Sequence, residues 1–208
     1  DASEVSGRVQ ITGYWYDPLD RQTDVVAFGT YGGSDFDRDD SGFDDPPSRS
    51  DTALRSTTTY DKDGSVLKTE DPAGTITQFA YDDLGRQITV IHNYVNGTPD
   101  GDDDDQTIKY EYTNGLRTKY IADLPSGSTD QETVYTYGVT TADSPGASAL
   151  YSNRLLRKVT YPDSGGASDV VTYAYDRQGE QIYMKDQAGN IIESSYDDGG
   201  RRTAQSVT

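Results

Sequence analysis

The sequence predicts an all-β fold, an antiparallel β-hairpin repeat meander, and three observations carry that prediction. The first is a cadence of Asp-x-x-Gly: Asp61–Gly64, Asp71–Gly74 and Asp82–Gly85, then Asp176–Gly179, Asp186–Gly189 and Asp197–Gly200. The second is the step between the Asp residues, 10 (61 to 71) then 11 (71 to 82), and again 10 (176 to 186) then 11 (186 to 197). Both stretches therefore share one 21-residue period, and Tyr60–Arg86 aligns with Tyr175–Arg201 without a gap. A fixed period of this size marks a repeat architecture. The third is the length of the legs: six residues separate Gly64 from Asp71 and seven separate Gly74 from Asp82, strand lengths too short for stable helices.

Turn chemistry justifies the cadence. An Asp at the first turn position bonds its side chain to the backbone two residues on, and Gly supplies the left-handed conformation that closes the turn. Pro72 directly follows Asp71, where its ring pre-sets the backbone dihedral of a type I turn. No segment holds a sustained 3.6-residue apolar period, so no long helix is expected.

Along the chain, Tyr14-Trp15-Tyr16-Asp17-Pro18-Leu19-Asp20-Arg21 is a degenerate first copy, with Asp20 where Gly is expected. Gly32–Ser50, rich in Asp, Gly, Pro and Ser, reads as a projecting loop, as do Asn96–Gln106 and Thr140–Ser148. Tyr110-Glu111-Tyr112 leads into Thr113-Asn114-Gly115, a tight hairpin signal. Tyr135-Thr136-Tyr137-Gly138 and Tyr173-Ala174-Tyr175 repeat the Tyr-x-Tyr pairing, which side-chain alternation places on one strand face. Thr75, Thr77, Phe79 and Tyr81 on one side of a leg, against Ile76, Gln78 and Ala80 on the other, leave neither face fully apolar. That pattern predicts a curved, partly hydrated sheet. The chain starts at Asp1 without a Met or apolar leader and stops inside a repeat leg at Thr208, so it reads as a fragment of a larger protein, one repeat array over 1–208.

Composition agrees. Hydrophobic residues make up 32%, and the aromatic weight is 17 Tyr against 4 Phe and 1 Trp, which is low for a dry core. Cysteine is absent, so disulfides and thiolate metal sites are excluded. The net charge of −18 repels nucleic acid and anionic membranes. No stretch approaches the roughly 18 apolar residues that cross a bilayer, so no membrane insertion by this segment is expected.

The pattern Tyr-x-Tyr-Asp-x-x-Gly-Arg at about twenty-residue spacing, best seen at Phe79–Arg86, Tyr173–Glu180 and Tyr196–Arg201, resembles the YD repeats of Rhs-type proteins. Wall-associated proteins, toxin-complex cage subunits and teneurins are relatives of that family. The motif residues are Tyr60, Asp61, Gly64, Asp71, Gly74, Tyr81, Asp82, Gly85 and Arg86, then Tyr175, Asp176, Gly179, Asp186, Gly189, Tyr196, Asp197, Gly200 and Arg201. The resemblance implies a YD-repeat ribbon that spirals into a β-shell, secreted or at the cell surface. It implies neighbouring repeats of the same parent chain as partners, and in some members an enclosed C-terminal toxin. Self-cleavage is not carried over: Asp71-Pro72-Ala73-Gly74-Thr75 resembles the family's Asp-Pro-x-Gly-Leu signature but lacks the Leu and lies mid-array.

Candidate chemistry is sparse. Asp37, Asp39 and Ser41 before Gly42 follow calcium-loop spacing, with the Phe43 carbonyl and Asp44 or Asp45 available to complete the shell. The twelfth position falls on Ser48, so the bidentate Glu is missing, and a solvated acidic loop explains the same residues. Asp102–Asp105 lacks the alternation altogether. His92 follows a β-branched strand with no nucleophile elbow nearby, and glycine pairs such as Gly165-Gly166 follow no phosphate-loop pattern. No enzyme is expected and no cofactor is required. The competing reading is an extracellular adhesion module whose exposed Tyr and Asp grip a surface glycan or another surface protein.

Overall fold

A computed structural model describes residues 10–30, 44–99, 103–143, 146–162 and 169–208. The chain divides into two compact units, 1–107 and 108–208. All described secondary structure is β, and every described strand pair is antiparallel between neighbours in sequence.

The first unit holds β1 (Ile11–Tyr16), β2 (Gln22–Gly29), β3 (Leu54–Tyr60), β4 (Val66–Glu70), β5 (Ile76–Tyr81), β6 (Gln87–His92) and the start of β7 (Gln106–Thr113). A meander sends successive turns to alternate rims of its sheet. The turns at 17–21, 61–65 and 82–86 therefore share one rim, and the 71–75 turn lies on the other. The core sits on β1–β3: Val26, Phe28 and Ala53 are buried, with Ile11 and Trp15 packed against them. Each fully buried Val or Phe contributes about 1.5–3 kcal/mol. Gly13 makes room for it, since a Cβ there would lie 2.6 Å from the Trp15 ring.

Beside this core the returning end of the first long loop is tied down by two arginines. Arg55 Nε donates to the buried Asp24 Oδ1 (2.8 Å), and its Nη1 donates to the Pro46 and Pro47 carbonyls (3.4 and 3.3 Å). Arg49 pairs with Glu70 (2.8 Å) and donates to the Arg55 and Asp71 carbonyls (both 3.1 Å). A buried carboxylate is tolerated where it is paired and hydrogen-bonded, and Thr57 Oγ1 supplies Asp24 with a second donor at 3.0 Å.

In the second unit β7 leads to β8 (Leu116–Asp123), β9 (Gln131–Val139), β10 (Ser152–Thr160), β11 (Val170–Tyr175), β12 (Gln181–Lys185), β13 (Ile191–Tyr196) and β14 (Arg202–Val207). Asn114 (φ 52°) and Gly115 (φ 79°) both take the left-handed conformation that the tight β7–β8 hairpin needs. Ile121, Val139, Val159, Val171, Ala174 and Tyr175 are buried. The β9–β10 loop folds back on the sheet: Ser148, also buried, accepts the Tyr175 N–H at 3.0 Å, and Ala149 N donates to the Tyr175 carbonyl. A Cβ on Gly146 would collide with the Tyr183 ring.

Candidate functional site: the rim of Tyr-Asp turns

The motif residues converge on one construction. In each Asp-x-x-Gly turn the Asp N–H donates to the carbonyl four residues on, and the Gly N–H donates back to the Asp carbonyl, as at Asp82–Arg86 and Gly85–Asp82 (both 2.9 Å). Gly64, Gly74, Gly85, Gly179, Gly189 and Gly200 hold φ between 74° and 91°, a region that a Cβ penalises. Asp20 takes the same place at φ 59°, a conformation that Asp tolerates better than most residues.

The Asp side chain fastens the turn from inside. Asp61 Oδ1 accepts the Asp63 and Ser65 N–H groups (2.9 and 2.8 Å), and Asp176 Oδ1 accepts those of Gln178 and Glu180 (2.8 and 3.0 Å). Where the fifth residue is Arg, the second oxygen is filled too. Arg21, Arg86 and Arg201 donate Nε to Oδ2 of Asp17, Asp82 and Asp197 at 2.7, 2.7 and 2.8 Å, with Nη2 beside it. Both guanidinium nitrogens converge on that one oxygen in a charge-assisted contact, while Oδ1 is left to the backbone donors. The Arg86 side chain, aided by backbone donors, holds the Asp82 carboxyl below its ordinary range against the opposing effect of burial. Arg21 does the same at Asp17. At Asp186 the amide of Asn190 takes the Arg place, donating to Oδ2 at 2.8 Å, and Asp71 Oδ1 accepts the Thr75 N–H.

Two kinds of turn alternate within the 21-residue period, and only one carries tyrosine. Tyr16, Tyr60, Tyr81, Tyr175 and Tyr196 each precede a turn Asp, and at each the strand register shifts by a β-bulge. No shift occurs in the β4–β5 or β12–β13 pairings that flank the Asp71 and Asp186 turns. The extra residue lies on the strand after the turn, as Ile182 between the partners of Ala174 and Tyr175, so the Tyr strand keeps its alternation; Ala174 and Tyr175, on opposite faces, are both buried. At three of these turns the Tyr hydroxyl reaches backbone. Tyr60 donates to the Gln22 carbonyl (2.9 Å), Tyr175 to Leu156 (2.8 Å) and Tyr196 to Gln181 (3.1 Å). Neighbouring turns on a rim also touch. The Arg21 guanidinium lies 4.6 Å over the Tyr60 ring and donates to the Asp61 carbonyl at 3.2 Å.

The remaining candidates fall elsewhere. Asp37, Asp39, Ser41 and Phe43 lie outside the described residues, and Asp45 is exposed. Among the described residues no group of three His, Cys, Asp or Glu side chains could hold a metal. Asp105 is fully buried, and its two oxygens accept the N–H groups of Val95, Asn96 and Gly97 at 2.9–3.0 Å. A carboxylate wrapped by N–H donors is the inverse of a cation site: it clamps the loop between β6 and β7. Burial alone would raise its pKa, but these donors hold it below the ordinary range. His92, exposed at the end of β6, has Nδ1 3.5 Å from the Thr77 hydroxyl. Sequence reasoning missed the Asp105 clamp and the Asp24–Arg55 pair, because neither carries a repeat signature.

No curated protein matches the chain in sequence. A complex of TcdB2-TccC3 with Cdc42 is similar over 96% of this chain at 14% identity and a TM-score of 0.48. The Photorhabdus luminescens Tc holotoxin pore is similar over the same share at 15% identity and a TM-score of 0.46. A porin-like protein from Bacteroides uniformis is similar over 98% of this chain and 91% of its own, at 11% identity and a TM-score of 0.31. The chain spans about a tenth of the length of the two toxin structures. Residues 60–99, which hold the Asp61, Asp71 and Asp82 turns, match the RHS Repeat family model.

Proposed function

We propose that this chain is a structural segment of a large secreted or cell-surface protein, a stretch of RHS-repeat shell that encloses or displays other parts of its parent. One observation supports the reading above others: the motif carboxylates are occupied by their own turns. Asp17, Asp82 and Asp197 each accept two backbone N–H groups and a forked Arg. Groups committed in this way build geometry and are not free to act as general acid, base or nucleophile. The RHS Repeat match at 60–99 and the gapless second copy at 175–201 supply the same inference at the level of sequence. The parent chain tests it. Limited proteolysis of the intact parent should spare a C-terminal segment that is digested once the repeats are unfolded. Equal digestion in both states would remove the enclosing role.

A glycan-binding reading has one observation of its own. Arg117 lies between the Tyr110 and Tyr135 rings (5.5 and 5.3 Å), beside an open groove of about 380 Å³ lined by Asn114, Tyr135, Tyr137 and Asn153. Rings flanked by amides and free of carboxylates suit neutral sugars. Glycan-array binding lost in Tyr135→Ala, with the fold retained, would move the assignment to an adhesion module.

A further inference from the structure

We propose that Asp176 and Glu180 hold a single proton between them, so that this turn is a pH-sensitive joint on its rim. The reasoning starts from a substitution within the repeat. The Tyr-Asp turns at 17–21, 82–86 and 197–201 end in Arg, whose fork fills the second Asp oxygen. The 176–180 turn keeps the same backbone, with Asp176 N donating to the Glu180 carbonyl and Oδ1 accepting two N–H groups, but its fifth residue is Glu. Two carboxyl groups therefore face each other where the other turns place an ion pair. Two carboxylates so placed repel, whereas a carboxylic acid donates to a carboxylate in a short, charge-assisted bond.

Glu180 shows the same need from its other side. Its Oε2 is shielded from solvent and has no hydrogen-bond partner among the described residues. A buried oxygen without a donor is costly, and a proton on the pair satisfies it. Its Oε1 reaches the next turn on the rim, 2.5 Å from where a Cβ on Gly200 would stand, so the protonation state of the pair is felt at 197–201. The charged groups facing Glu180 are Asp176 from its own turn and Asp197 from the neighbouring one. Asp197 is itself paired with Arg201. Burial, then the Asp176 carboxyl, push the Glu180 pKa up, while the backbone donors of Glu180 and Gln178 outweigh burial and draw Asp176 down.

The sign follows from these directions. A raised Glu180 stabilises the fold while protonated, and that contribution is lost as pH rises through its folded pKa. A lowered Asp176 contributes above its ordinary value and is lost as pH falls through its folded pKa. The pair is thus best held in the mildly acidic window between the two.

Carbon-detected NMR of the Glu180 carboxyl in this chain should show it titrating above the ordinary 4.5, with the Gly200 amide shifting over the same pH range. Glu180→Gln supplies a permanent donor, and Glu180→Arg restores the ion pair of the other turns. The melting temperature of each, relative to the natural chain, should climb as pH is raised from about 5 to about 8. A Glu180 that titrates at or below 4.5, or a difference from both variants that stays constant with pH, would overturn the shared proton. The titration of the natural chain decides the matter even where a variant fails to fold.

Discussion

At the scale of the residue, the repeat rests on a carboxylate that ends its own strand. Aspartate suits the position because its side chain is short enough to accept N–H groups two and four residues ahead without leaving the turn. Glutamate would overshoot, which accounts for the Asp bias better than a need for charge does. The Arg that follows acts on the same group, and its effect can be titrated. Asp82 is held below its ordinary pKa chiefly by Arg86, so it adds stability that is present at neutral pH and lost as pH falls through the depressed value. Replacing Arg86 by Gln removes that hold and brings the Asp82 pKa back toward 3.8. The acid-unfolding midpoint, followed by far-UV circular dichroism, should then move to higher pH. An unchanged midpoint would mean that the pair carries no differential charge energy between the folded and unfolded chain.

At the scale of the element, the hydroxyls of Tyr60, Tyr175 and Tyr196 fasten short strands to neighbouring backbone. Tyr175 is the clearest case: it is buried, its hydroxyl donates to the Leu156 carbonyl at 2.8 Å, and burial raises its pKa. Tyr175→Phe removes one hydrogen bond, for a loss of about 1 kcal/mol in urea unfolding. Tyr16→Phe, at a ring that is 58% exposed, should cost nothing measurable. The contrast shows what could be read in advance. Turn positions, leg lengths and antiparallel order were legible because Asp, Gly and the 21-residue step encode them locally. The bulge was not, because register depends on how two strands twist against each other and leaves no mark on one strand's residues. The Asp24–Arg55 pair was illegible for a related reason: its partners are 31 positions apart and outside the repeat. Asp105, read as one residue of a projecting loop, was illegible as a clamp because a fully buried carboxylate and a solvated one share the same letter. Only the backbone around them differs.

At the scale of the whole molecule, a charge of −18 sets the terms on which any metal claim must be judged. Self-repulsion at this charge destabilises the folded chain, and any salt relieves it as the screening length shortens from about 10 Å at 0.1 M to about 3 Å at 1 M. Calcium will therefore raise the melting temperature whether or not a site exists. The discriminating quantity is the rise in calcium beyond that in magnesium at equal ionic strength. A flexible shell of carboxylates and carbonyls accepts calcium, whereas magnesium demands a compact octahedron and keeps its water. The loop from Asp37 to Asp45 offers calcium-like spacing, but it lacks the bidentate Glu at the twelfth position, and Asp45 is exposed. Equal rises in the two salts are therefore expected, tracking ionic strength alone. An excess in calcium that disappears in the double variant Asp37→Ala, Asp39→Ala would instead assign the loop as a built site. The same excess surviving in that variant would place the ion elsewhere on the chain.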